Sequence, residues 1–178
     1  MLLWLDLETT GLDADNDYIL EAAWTITDNL CVGDDRIESF VVTPSSDMIN
    51  ALVASPIAYE MHEISGLVKE METGTTVRVE DIEDAIIRDM DYYGYHEPWM
   101  LAGFSVHFDK EFVNNHMWRL AEVISHRVYD VSTLRTFFKP FGFISESENL
   151  AKHRAANDVA ESLSVARGYI DQVQKILN

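Results

Sequence analysis

A single cysteine, Cys31, is all that this 178-residue chain contains. An internal disulfide is therefore excluded, and a reducing cytoplasm is the expected setting. Long hydrophobic runs are missing too, so nothing in the sequence reads as a membrane span. The N-terminus lacks the basic start of a secretory signal, and Asp6 and Glu8 break its apolar stretch at once. Basic residues are few: 13 Lys and Arg stand against 31 Asp and Glu, leaving a net charge of −18. A general binder of long DNA or RNA needs a basic stripe to displace counterions, and none is visible. Either nucleic acid is not the ligand, or it is gripped locally through metal ions and a few side chains.

What is present suits a globular protein. Apolar residues at 47% and charged residues at 25% are ordinary values, and the length favours one domain over residues 1–178 with a substantial core. Strand-like segments come first, at 2–7, 18–27 and 36–43. Short connections containing Gly11, Asn16, Asp28 and Gly33 predict successive antiparallel pairing. Residues 56–62 read as one or two helical turns. Val79, Ile82, Ile86, Met90 and Tyr93 recur at helical spacing after a polar start at Thr75-Thr76. A strand over 99–104 follows Pro98, then a helix near 108–121, a short strand over 127–131 and a helix from Ser132. Residues 140–153 are the most loop-like stretch. Beyond them Val159, Leu163, Ala166, Ile170, Val173 and Leu177 make one apolar helical stripe. Strands first, then alternating helices and strands, predict an α/β or α+β domain whose mixed sheet is covered by helices.

Asp6 and Glu8 close the apolar run Leu2-Leu3-Trp4-Leu5 at positions i and i+2. On a strand such side chains point the same way. Two carboxylates on one face of a buried strand repel unless a cation sits between them. Thr9-Thr10-Gly11 then makes a turn that exposes backbone at the strand end. Asp109 follows the strand Leu101-Ala102-Gly103-Phe104 and emerges at a strand end as well. Taken singly, the other candidates have plainer readings: Asp109 as a helix cap, His153 as a surface histidine, Asp158 as a polar residue in a helix's early turns. Their combination carries the chemistry. Asp13-x-Asp15-x-Asp17 begins like a calcium loop, but Tyr18 takes the place of the required glycine and Trp24 that of the bidentate glutamate. A solvated turn is expected there.

The order Asp6-x-Glu8, then Phe108-Asp109-x-x-Phe112, then His153-x-x-x-x-Asp158 resembles the DEDDh 3′→5′ exonucleases of the ribonuclease H-like fold, and within them oligoribonuclease. Four further matches spread the likeness over most of the chain: Asp6 to Asp13, His62 with Ser65-Gly66-Leu67, Arg127 with Asp130-Val131-Ser132-Thr133-Leu134, and His153 to Ser162. The resemblance implies an α/β ribonuclease H-like domain that hydrolyses short single-stranded RNA, with DNA a further candidate, to 5′-mononucleotides. Departures occur at Thr9, where oligoribonucleases usually carry Met, at Ile57, where they have Trp, and at His126, where they have the Tyr used at their dimer interface. Gly103 to Asp109 lacks their usual Asn and Gln, and Phe108-Asp109-x-x-Phe112 instead looks like the wider DEDDh group, including proofreading subunits and ribonuclease T. These changes leave the metal residues intact and fall on substrate-length and dimer features.

The family's mechanism assigns roles by residue. Asp6, Glu8 and Asp158 would hold one divalent ion, Mg²⁺ or Mn²⁺, with Asp6 bridging to a second; Asp109 would complete the site partly through water. His153 would be the general base for the attacking water. Four acids and no cysteine suit hard cations, and two such ions about 3.5–4 Å apart suit phosphodiester hydrolysis. Leu12 would wedge between the last two bases, against the reading of an ordinary core leucine. His62 would approach the terminal nucleotide, Ser105 and Arg127 would reach phosphates, and the Thr9 and Thr10 backbone would meet the terminal sugar. Phe104 and Phe108 read as core residues. A homodimer is implied, with the region of Arg127 reaching the partner's site. Two rivals remain open: a proofreading or DNA-trimming exonuclease of the same chemistry, and a non-catalytic nucleic-acid- or polymerase-associated module on the same fold.

Overall fold

The computed structural model describes residues 1–33, 36–94, 98–143 and 153–177. Three strands open the chain, β1 (Leu2–Thr9), β2 (Ile19–Thr27) and β3 (Glu38–Val42). Three short helices follow, α1 (Ser46–Ala54), α2 (Pro56–Ile64) and α3 (Leu67–Thr73), then β4 (Thr76–Val77) and the longer α4 (Val79–Tyr93). The second half runs β5 (Trp99–Gly103), α5 (His107–His116), α6 (Trp118–Val123), β6 (Ile124–Asp130), α7 (Val131–Phe138), one 3-10 turn at Lys139–Phe141, and α8 (Ala155–Leu177).

The six strands form one mixed sheet in the order β4-β3-β2-β1-β5-β6. The expected antiparallel β1, β2 and β3 are present, while β5 and β6 add parallel to β1's other side. This is the expected α/β mixed sheet flanked by helices. β1 and β2 are central and covered on both faces, which is why they read as near-continuous apolar runs. Alternation then separates the faces. Leu3 and Leu5 pack with Leu20, Ala22 and Trp24 in one core cluster; Leu2 and Trp4 pack with Ala23 and with Val159, Leu163 and Ala166 of α8 in another. Asp6 and Glu8 continue the Leu2–Trp4 face, the one that α8 covers.

Several elements differ from expectation. The helix near 108–121 breaks at Met117, whose backbone (φ −132, ψ 63) is non-helical, giving α5 and α6. The polar start at Thr75-Thr76 contributes Thr76 to β4, a two-residue strand parallel to β3 with Val41 opposite Thr76. So short a strand has no periodicity to read. α1, also unforeseen, starts from Ser45, whose hydroxyl accepts from the Met48 N–H at 3.2 Å. The last strand is longer than expected, beginning at Ile124. On α8 the stripe is buried at Val159, Leu163 and Ala166, but Leu177 is exposed because the helix outruns the sheet; Tyr169 is buried instead. Of the loop-like stretch 140–153, residues 144–152 lie outside the described residues. Among the described residues, no helix is long and apolar enough to cross a membrane.

Candidate active site

The C-terminal half of β1 and the start of α8 build the centre of the site. Asp6, Glu8 and Asp158 each offer a carboxylate oxygen, and these oxygens lie within 4.8 Å of one another. Asp109 joins from α5. Pairing between β1 and β5 stops at Trp4–Ala102, so the Leu7 N–H has no strand partner on that side; it donates to the Asp109 carboxylate at 2.9 Å. That bond sets Asp109 against the backbone between Asp6 and Glu8.

Burial dominates the electrostatics. It holds Asp6 well above the usual carboxylate range, with Asp109, Asp158 and Glu8 adding repulsion. Burial, then Asp158 and Glu21, push Glu8 up to about 8. Asp109 is pushed up to about 7 by burial, against the Leu7 hydrogen bond. Asp158 is raised by burial too, while the nearby His153 and the backbone N–H groups of His153 and Arg154 oppose the shift. Four carboxylates that cannot all ionise comfortably together, with only oxygen donors in the cluster, fit a hard divalent cation.

His62 adds a second indication. Its ring is fully buried, Nε2 lies 2.9 Å from the Thr9 carbonyl oxygen, and Nδ1 lies 3.7 Å from Glu8 Oε2 without a hydrogen-bond partner. A carbonyl only accepts, so Nε2 carries the hydrogen and Nδ1 turns a lone pair toward the Glu8 carboxylate. Burial holds this imidazole below its ordinary pKa and keeps it neutral. His62, expected near the terminal nucleotide, here braces the end of β1.

Beside the carboxylates lies an open groove of about 140 Å³, lined among others by Asp6, Leu12, Phe104, Ser105, Phe108 and Asp109. Leu12 is 74% exposed at its edge and is no core residue. Its turn is internally tied: Thr10 Oγ1 and the Asp13 N–H donate to the Asp17 carboxylate at 2.7 and 3.0 Å. A Cβ on Gly11 would stand 2.3 Å from that carboxylate, so a side chain there would have to displace Asp17 from its bonds to Thr10 and Asp13. The Asp13-Asp15-Asp17 run is thus a turn in which the Asp13 and Asp17 carboxylates bond their own loop, while that of Asp15 accepts from Asn115 of α5 at 2.9 Å. Thr9 Oγ1 donates to the Gly11 carbonyl at 2.6 Å. Ser105 has a left-handed φ of 48, with its N–H 3.1 Å from Ser132 Oγ.

The expectation that both Phe104 and Phe108 are core is corrected. Phe104 packs partly against the α8 cluster, but Phe108, in the first turn of α5, is 41% exposed on the groove wall. Arg127 is exposed on β6, the edge strand two places from β1, and is absent from the groove lining. His153 is exposed, has φ 65, and immediately precedes Arg154 and α8.

Sequence reasoning passed over two residues. Glu21, opposite Glu8 across the ladder, is 1% exposed and forms a buried ion pair with Arg154, Nη2 to Oε1 at 2.9 Å. A lone acid inside the apolar run Ile19–Thr27 was the available signal.

A mixed sheet with four carboxylates gathered at the end of its central strand suits metal-assisted hydrolysis of a phosphodiester bond. The sequence model of the exonuclease family typified by RNase T matches residues 3–166. Oligoribonuclease of Mycobacterium sp. (strain KMS) is 30% identical over 176 residues, covering 94% of this chain and 79% of that protein. The mitochondrial oligoribonuclease of Mus musculus is 29% identical over 184 residues, 98% of this chain and 73% of its own. The fold is shared with exonuclease I of Methylocaldum szegediense (TM-score 0.67, 19% identity) and with E. coli exonuclease I in a zinc-bound complex with single-stranded DNA (TM-score 0.69, 17% identity). Each superposition covers 99% of this chain but only 42% and 41% of those longer chains. The chain belongs to this exonuclease family and, within it, groups with the oligoribonucleases. It is a divalent-metal-dependent 3′→5′ exonuclease, a hydrolase of phosphodiester bonds.

Proposed function

We propose that residues 1–178 act as one exonuclease domain that shortens short single-stranded RNA from its 3′ end, releasing 5′-mononucleotides. The observation that carries this reading is the convergence of carboxylate oxygens of Asp6, Glu8 and Asp158 within 4.8 Å, with Asp6 and Asp109 in the wall of a small open groove. Asp6, Glu8, Asp109 and Asp158 would hold two Mg²⁺ or Mn²⁺ ions. When bound, such ions supply an acidified water and neutralise charge on the transferring phosphate. His153 accepts the proton of the attacking water at a ring nitrogen, as an imidazole outside the carboxylate cluster can. Leu12 and Phe108 offer apolar surface to terminal bases, and Thr9 lines the groove where the terminal sugar would lie, whereas Thr10 is fully buried with its N–H on the Tyr18 carbonyl and does not meet it.

The net charge of −18 supports a short substrate held at the ions over a long one held on a basic track. The names of the relatives agree on RNA. DNA is kept as a second substrate because E. coli exonuclease I, with the same fold, is seen with single-stranded DNA. We further propose a homodimer through the surface around Arg127, tested by sedimentation: an active 20.3 kDa species would remove it. A cytoplasmic setting rests on the lone cysteine.

The deciding experiment is hydrolysis of labelled RNA dinucleotides, longer RNA and single-stranded DNA, side by side, with Mn²⁺, Mg²⁺ or EDTA. The reading expects the dinucleotide to be the preferred substrate and EDTA to stop turnover. Full turnover in EDTA, or preference for long DNA, would remove it.

A further inference from the structure

Glu21 has no place among the metal-facing oxygens, yet it is a buried carboxylate directly opposite Glu8 across the β1–β2 ladder. Like charges opposed on a ladder destabilise, and a buried one is costly unless fully bonded. Glu21 is fully bonded. It accepts from Arg154 Nε at 3.0 Å and Nη2 at 2.9 Å, from the Ala155 N–H at 3.1 Å and from the Ser39 hydroxyl at 3.1 Å. Arg154 Nη2 also reaches Glu70 on α3 at 2.6 Å. All the bonds from the α8 side come from the two residues that follow His153.

His153 itself sits at φ 65, a left-handed conformation unusual for a residue with a side chain. Such a backbone persists only where its surroundings over-determine it. Here two sets of bonds do so. The Asp158 carboxylate draws in the N–H groups of His153 and Arg154 from one side. The fork of Arg154 on Glu21 fixes the chain against the central sheet from the other.

We propose that the Glu21–Arg154 pair is the positioning device for the base, holding the bend at residue 153 so that the imidazole stands over the Asp6, Glu8 and Asp158 cluster. The proposal rests on the reading of His153 as general base. Guanidinium geometry matters to it: a planar two-pronged donor sets an angle as well as a distance, which an ammonium group does not. With metal saturating, the pair therefore acts on the rate of the chemical step and leaves substrate affinity alone; because Arg154 also lowers, and Glu21 raises, the pKa of Glu8, only their joint removal leaves metal affinity close to unchanged.

The test is single-turnover cleavage of a labelled RNA dinucleotide at saturating Mn²⁺ by the full chain. Wild type, Arg154→Ala, Arg154→Lys, His153→Ala and the double variant Arg154→Ala/His153→Ala are compared, with folding followed by circular dichroism. Because Arg154→Ala strands a buried carboxylate, Glu21→Gln/Arg154→Met serves as a neutral version. Arg154→Ala, or the neutral pair, is expected to lower the rate roughly 10- to 100-fold, the scale of a misplaced catalytic group. KM should hold in both, the Mn²⁺ midpoint should hold in the neutral pair, which removes the opposed effects of Glu21 and Arg154 on Glu8 together, and Arg154→Lys should restore little. In the His153→Ala background the same change should have no further effect. Equal losses in both backgrounds, or a loss that saturating Mn²⁺ repairs, would overturn the positioning role. Wild-type turnover by His153→Ala would instead remove the base itself, a result distinct from additivity.

Discussion

The N–H of Leu7 donates to the carboxylate of Asp109 at 2.9 Å, across 102 positions of sequence. This bond joins α5 to the one part of β1 that β5 leaves unpaired, and it lies between the two acids that begin the site. Asp109 is thus fixed by backbone, while Asp6, Glu8 and Asp158 are forced together by the packing of α8 on β1.

The first prediction concerns pH and metal. Glu8 is raised from 4.5 to about 8 and Asp109 from 3.8 to about 7, so the metal-free folded state binds more protons than the unfolded chain. The share of stability that these two groups control should then be greatest below their unfolded values and fall as pH rises from about 4 to about 8. Thermal melts in EDTA should show this decline, and Mn²⁺ should reverse most of it near pH 8. A flat profile in EDTA would show that the acids are not jointly strained.

Removing Asp6 should separate stability from activity. Asp6→Ala relieves a buried carboxylate surrounded by Asp109, Asp158 and Glu8. In EDTA the variant should melt above wild type, by on the order of 1 kcal/mol. It should also lose several kcal/mol of transition-state stabilisation, reducing turnover to background.

His153→Ala should lower kcat by roughly 10²- to 10⁴-fold, the usual contribution of a positioned base. Calorimetric binding of Mn²⁺ and of a non-cleavable dinucleotide should change little, since His153 is exposed and lies outside the carboxylate cluster. Near-normal turnover would move the base elsewhere.

Leu12→Ala should leave stability within about 0.5 kcal/mol, as expected for an exposed side chain. Loss of apolar contact with a terminal base should raise KM, by roughly tenfold at the scale of a small hydrophobic contact. Steady-state kinetics on a dinucleotide with unchanged melting would bear this out; an unchanged KM would place the base away from Leu12.

Much of this was legible in sequence because it is local. Period-two spacing put Asp6 and Glu8 on one strand face. The Leu2–Leu5 run marked a central strand, and the 3.6-residue stripe Val159, Leu163, Ala166 marked the covering helix. The resemblance to the DEDDh exonucleases then joined Asp109, His153 and Asp158 to the same chemistry. Periodicity says which residues share a face, but it does not say what that face meets. Only the strand order, with β1 between β2 and β5, decided that α8 would bring Asp158 to Asp6 and Glu8, and that the Leu7 N–H would be open to Asp109. Glu21 and Arg154, 133 positions apart, carry no local mark of partnership. Neither does the full burial of His62 against Thr9, nor the outward turn of Phe108. Charges find partners through space, and burial is a property of the assembled sheet and helices, so those assignments belong to the tertiary structure alone.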